Sequence, residues 1–104
     1  MSQITQYNYQ FHGGPNGYAS RRSILRLNGD AGALAYVYFM AEGNTIPNDT
    51  QTSSGFIKMY MHESALPAVI DMLRNESPVY IYHVGGNTRL YTGNEPIGEE
   101  ESGA

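Results

Sequence analysis

The residues able to do chemistry in this chain are few and scattered. His12, His62 and His83 each fall in a strand-like stretch or at its end. They lack the HExxH or HxH spacing of a metal site, and there is no cysteine to complete one. His62-Glu63 has the composition of an acid/base pair. Neighbours in an extended strand point to opposite faces, however, so the two diverge unless the chain bends between them. Glu63 is better placed to favour the N-terminus of a following helix. No GxSxG elbow frames any serine. The glycine-rich stretch HGGPNG (12–17) lacks the lysine and the following helix of a phosphate loop, so it reads as a turn. Glu99-Glu100-Glu101 form a solvated acidic run rather than a catalytic pair. The sequence therefore predicts no enzyme, no metal and no cofactor.

Groups suited to binding are better represented. Five of the six cations are arginines, whose planar fork favours bidentate contacts with phosphate or carboxylate. Arg21 and Arg22 lie between the first loop and the second strand, Arg74 and Asn75 at a helix C-terminus, and Arg89 near the start of the last strand beside Tyr91. Arginine forks for phosphates, an aromatic face for a base and an amide for its edge are the components of a nucleotide pocket. The plainer alternative puts Arg74 on the helix C-terminal dipole and Arg89 in an ion pair with the acidic tail.

The elements that must position these groups follow from the hydrophobic pattern. Residues 3–12 alternate, with Tyr7, Tyr9 and Phe11 on one face and Gln6, Asn8 and Gln10 on the other, as a half-exposed strand does. Residues 22–28 and 33–40 read as two strands joined at Asn28-Gly29-Asp30. The second of them is apolar on both faces, which places it centrally or under a partner. Residues 41–54 are polar, without period, and make the longest loop. Residues 55–62 form a fourth strand. A helix then starts with Ser64 as N-cap and Pro67 in its first turn, with Leu66, Val69, Ile70 and Leu73 on one face. Asn75 to Pro78 ends it. Residues 79–84 and 88–92 make a closing hairpin around Gly85-Gly86-Asn87.

The expectation is an α+β fold of order ββββαββ: an antiparallel sheet of about six strands with one helix on a face. Residues 1–98 would form a single domain and 99–104 an acidic flexible tail. One helix cannot cover such a sheet, and the second apolar surface predicts a dimer or higher homo-oligomer.

Composition narrows the class further. A chain of 104 residues has room for one core. A net charge of −4 gives no overall pull towards DNA, RNA or anionic membrane. The absence of cysteine excludes a disulfide framework, and no apolar run reaches the ~18 residues of a membrane span. The N-terminus has neither the basic start nor the apolar run of a signal peptide, so a cytoplasmic protein is expected. Nine tyrosines against three phenylalanines favour half-buried faces, pockets and subunit contacts.

The order of elements, the stretch LRNESPVYIY (73–82) and an arginine about fifteen residues before an acidic end resemble the first type of phage Thoeris anti-defence sponge. The resemblance covers residues 55–101. It implies a non-catalytic, oligomeric protein that sequesters a cyclic ADP-ribose isomer, and also cyclic oligonucleotides, in the host cytoplasm. In that family arginines grip the phosphates while an aromatic ring and an asparagine clasp the base. By positional analogy the resemblance assigns these roles to Arg21 or Arg22, Arg89 and Asn75, with Phe11 or Phe56 as the ring. Tyr91, beside Arg89, completes the candidate ligand-binding set. The alternative function is a small protein–protein interaction module docking through the acidic tail or the 41–54 loop.

Overall fold

The computed structural model describes residues 2–93. The fold is α+β, as the pattern predicts, but it holds two sheets rather than one. A five-stranded sheet has the order β2 (Gln6–Phe11), β3 (Arg21–Gly29), β4 (Gly32–Met40), β6 (Ile57–His62), β5 (Thr50–Gln51). A three-stranded sheet has the order β1 (Ser2–Ile4), β7 (Val79–Val84), β8 (Asn87–Thr92). A single turn of 3₁₀ helix (Glu63–Ala65) leads into α1 (Leu66–Asn75). The tail from residue 94 onward, and with it the 98/99 boundary, lies outside the described residues.

Four differences from the sequence reading have local causes. The first strand divides at Thr5, whose N–H donates to the Asn28 carbonyl at 2.8 Å. Residues before it pair with β7 and residues after it with β3, so one alternating stretch serves both sheets. Next, β4 and β6 are parallel, with Val37 opposite Met59 and Phe39 opposite Met61. Parallel neighbours need a crossover of about a dozen residues or more, which accounts for the long polar connection between them. That connection carries the two-residue β5 on the far side of β6. The β3–β4 turn falls on Asp30-Ala31, between paired Gly29 and Gly32. Finally, Ser64 sits inside the 3₁₀ turn and makes no cap bond; Ala65 occupies the N-cap of α1, with Pro67 in its first turn.

Alternation in β3 decides the core. Ser23, Leu25 and Leu27 point inward and are buried, facing Phe39, Val37 and Ala35 of β4. Ile57 and Met59 extend this surface across β6, while α1 adds Leu66 and Val69. The small sheet adds Ile4, Val79 and Ile81 to the same cluster. Helix and small sheet thus share one face of the larger sheet. This corrects the premise that a single helix leaves most of that face bare. β4 is the third of five strands, in the central place its two-sided apolar sequence requires.

Candidate functional site

Between edge strand β2 and helix α1 runs a groove of ≈ 340 Å³. Its strand wall is Tyr9 and Phe11, which alternation places on the inward face of β2, opposite Leu25 and Ser23. Because β2 is the edge strand, α1 does not fully cover these rings, and they stay 43% and 62% exposed. They meet edge to face with centroids 5.8 Å apart, and Tyr7 stacks on Tyr9 at 6.5 Å. The helix wall is Leu66, Pro67 and Ile70, followed by Asp71, Arg74 and Asn75. Asn75 Nδ2 donates to Asp71 Oδ1 at 2.7 Å across one helical turn, which fixes both polar groups at the rim. Arg74, in the last turn, is exposed and makes no ion pair among the described residues.

Two of the predicted ligand-binding residues, Phe11 and Asn75, therefore meet in one groove. Tyr9, Asp71 and Arg74 join them there. A signal for the helix residues was present in the sequence: positions 67, 71 and 74 form a second helical stripe beside the core-facing one.

The other predicted residues go elsewhere. Arg21 lies on the opposite face of the large sheet, its guanidinium 4.0 Å from the Tyr38 ring centroid. Phe56 is on that side too, edge-on to Tyr36 at 5.0 Å. Arg22 is a structural clamp: its Nη1 donates to the His12 and Gly14 carbonyls at 2.8 Å each, and its Nη2 to the Pro15 carbonyl at 3.2 Å. Its Nε also stands 3.8 Å from Glu63 Oε2. With its donors turned onto the 12–17 loop, Arg22 does not join the groove.

Arg89 and Tyr91 belong to the small sheet. Arg89 Nη1 donates to the Tyr82 hydroxyl at 3.2 Å, and Tyr91 stacks on Tyr80 at 5.3 Å. Shielding from water raises the Tyr91 phenol above its ordinary range, with Tyr82 and Tyr80 adding to the shift. Both residues border an apolar groove of ≈ 410 Å³ between β8 and α1, floored by Met59, Met61 and Met72.

No family model, curated protein or solved structure matches this chain.

Among the described residues, no three histidine, aspartate or glutamate side chains gather as metal ligands would. No helix there is long and apolar enough to cross a membrane. His83 Nδ1 is 2.8 Å from the Thr88 hydroxyl, and no carboxylate pairs with it among the described residues. The chain bends between His62, the last residue of β6, and Glu63, the first of the 3₁₀ turn, and no hydrogen bond or ion pair joins the two among the described residues. Glu63 Oε2 accepts the Glu42 backbone N–H at 2.7 Å, so it braces the end of β4. The β2–α1 groove thus offers stacking surface, one cation, one carboxylate and one amide. Groups of these kinds have the chemistry to complement a planar, polar, partly anionic molecule.

Proposed function

We propose that this chain is a non-catalytic binding protein that sequesters a small cyclic nucleotide signal, with the β2–α1 groove as its site. The observation that carries this reading is the convergence of Phe11, Tyr9, Arg74, Asp71 and Asn75 on one groove. A base stacks on the Phe11 or Tyr9 ring, an interaction worth about 1–3 kcal/mol per base. The Asp71 carboxylate accepts an exocyclic amine or ring N–H, the Asn75 amide contacts the base edge, and Arg74 engages a phosphate. The resemblance to Thoeris anti-defence sponges makes cyclic ADP-ribose isomers the first ligands to try, and countering antiviral defence the biological role.

The groove sits at the low end of the ~300–1,000 Å³ typical of ligand sites, so it holds about one nucleoside. A second copy docked on the free edge of β2 would enclose the remainder, which is how self-association enters the proposal. Sedimentation at micromolar concentration should show a dimer or larger species that Phe11→Ala weakens.

Calorimetric titration with cyclic ADP-ribose isomers and with cyclic di- and trinucleotides tests the function. At least one should bind at micromolar or better, Phe11→Ala should weaken it about 5- to 150-fold, and the ligand should be recovered intact. Binding no tighter than millimolar, or recovery of hydrolysed ligand, would overturn the reading. The free edge of β2 with its exposed rings also favours a second reading, a module that takes an extended peptide as an added strand. Capture of a host protein that survives truncation of residues 95–104 but not Phe11→Ala would point there.

A further inference from the structure

Among the described residues no helix or strand packs on the face of the large sheet turned away from the core, where Tyr38 and Met40 are buried and Tyr36, Tyr60, Arg26 and Lys58 keep access to solvent. Cross-strand register brings Tyr36 and Tyr38 of β4 beside Lys58 and Tyr60 of β6, and beside Arg26 and Ile24 of β3. Tyr38 and Tyr60 stack at 5.2 Å, while Tyr36 stands edge-on to Tyr38 at 6.2 Å. The row contributed by β2 is amides, Gln6, Asn8 and Gln10. Asn8 Oδ1 and Gln10 Oε1 each accept from Arg26 Nη1 at 3.3 Å, while the guanidinium lies 5.7 Å from the Tyr36 centroid.

Charge separates this face from the rest of the chain. Arg21, Arg26 and Lys58 are three of the six Lys and Arg residues, and no strand position of the face carries Asp or Glu. The six carboxylates among the described residues lie off these strand positions, with Asp49 Oδ1 accepting the Tyr60 backbone N–H at 2.9 Å. The local sign is thus opposite to the net sign, and the cations stand among aromatic rings.

We infer that this face binds single-stranded nucleic acid, an activity separate from the groove on the other side of the sheet. Open sheets that present aromatic rings take two or three unstacked bases, and cations beside the rings hold the intervening phosphates. Tyr38 is spent as a pillar, sandwiched between Arg21 and Tyr60 and only 6% exposed. The reading rings are Tyr36 and Tyr60, with the β2 amides placed for base edges. A second copy of the same face is disfavoured as the occupant, because a two-fold contact would set Arg21, Arg26 and Lys58 against themselves.

The test is fluorescence anisotropy of a labelled twelve-residue oligouridylate with the full chain, repeated across a salt series. Binding should weaken with salt at a log–log slope of about −2, the value for three neutralised phosphates on a single strand. Tyr36→Ala with Tyr60→Ala should weaken it at least tenfold. The exposed Lys58→Glu, which leaves the core untouched, should weaken it severalfold. Phe11→Ala should leave it unchanged, so failure of the groove reading and failure of this one are told apart. No binding at low salt overturns the inference, as does binding indifferent to both the ring and the charge variants. Displacement by polyglutamate with no loss on removing the rings would overturn it in favour of an acidic peptide.

Discussion

The Arg21 guanidinium lies over the Tyr38 ring, 4.0 Å from its centroid, and makes that tyrosine one of the least exposed in the chain. Burial pushes the Tyr38 hydroxyl above the ordinary phenol range, and the positive charge of Arg21 only partly offsets the effect. A phenol whose pKa is raised on folding keeps its stabilising contribution below about pH 10 and loses it as the pH climbs through the folded value. Urea unfolding of the native chain and of Tyr38→Phe should therefore differ by a constant amount up to about pH 9. Above pH 10 the native chain should lose stability relative to the variant. A difference that stays flat to pH 11 would show that the hydroxyl is not held in its neutral form.

A second prediction concerns Ser23, which is fully buried opposite Phe39 and Phe11 with no hydrogen-bond partner for its hydroxyl among the described residues. Leaving such a group unpaired costs about 1–3 kcal/mol. Ser23→Ala should remove that cost at the expense of a very small void, for a net gain of about 1 kcal/mol. In a domain of this size that is a rise in Tm of about 4–8 °C by calorimetry. A fall in Tm would mean that the hydroxyl has a partner, such as a bound water.

What the sequence made legible depended on the range of the interaction. Alternation in β2, the α1 stripe of Leu66, Val69, Ile70 and Leu73, and the centrality of β4 are local patterns, and each matches the structure. The parallel pairing of β4 with β6 and the division at Thr5 are choices between distant partners. The same residues would alternate identically in either arrangement. The site shows the same limit. Phe11 and Asn75 are brought together only by packing α1 against β2, and alternation sends the neighbours Arg21 and Arg22 to opposite sides, the irregularity in β3 pairing between Arg21 and Ser23 turning Arg21 to the Tyr38 face. Net charge concealed the basic face because the ten carboxylates of the chain outnumber its six cations.

The loop after β2 yields a pair of predictions of opposite sign. Tyr18 and Arg21 exchange backbone hydrogen bonds of 3.0 and 2.9 Å around Ala19 and Ser20, both at positive φ, 53° and 66°. That geometry is a two-residue hairpin turn normally filled by Asn-Gly, and a side-chain-bearing residue there is strained by about 1–2 kcal/mol. Ser20→Gly should stabilise the chain by up to about 1 kcal/mol once the added freedom of the unfolded glycine is counted. Gly17 also has a positive φ, 64°, and a Cβ there would collide with the Arg21 carbonyl. Gly17→Ala should therefore destabilise by more than Ser20→Gly gains. Denaturant midpoints of the two variants measure both, and two shifts of the same sign would contradict this geometry.

Arg22 holds the same loop and gives the fourth prediction. Its three bonds to the carbonyls of His12, Gly14 and Pro15 are charge-assisted, whereas its approach to Glu63 at 3.8 Å is long and partly exposed. Exposed ion pairs are worth little beside hydrogen bonds from a cation to otherwise idle carbonyls. Arg22→Ala should accordingly cost about 1–3 kcal/mol, and Glu63→Gln less than about 1, since glutamine keeps an oxygen to accept the Glu42 N–H. Arg22→Lys should recover only part of the loss, because a single ammonium cannot reproduce the fork that reaches both sides of the loop. His12 directly follows Phe11, so loosening this loop also frees one wall of the β2–α1 groove. Hydrogen exchange of amides 12–20 should accelerate in Arg22→Ala and stay near native in Glu63→Gln, and ligand affinity in the groove should follow the same order.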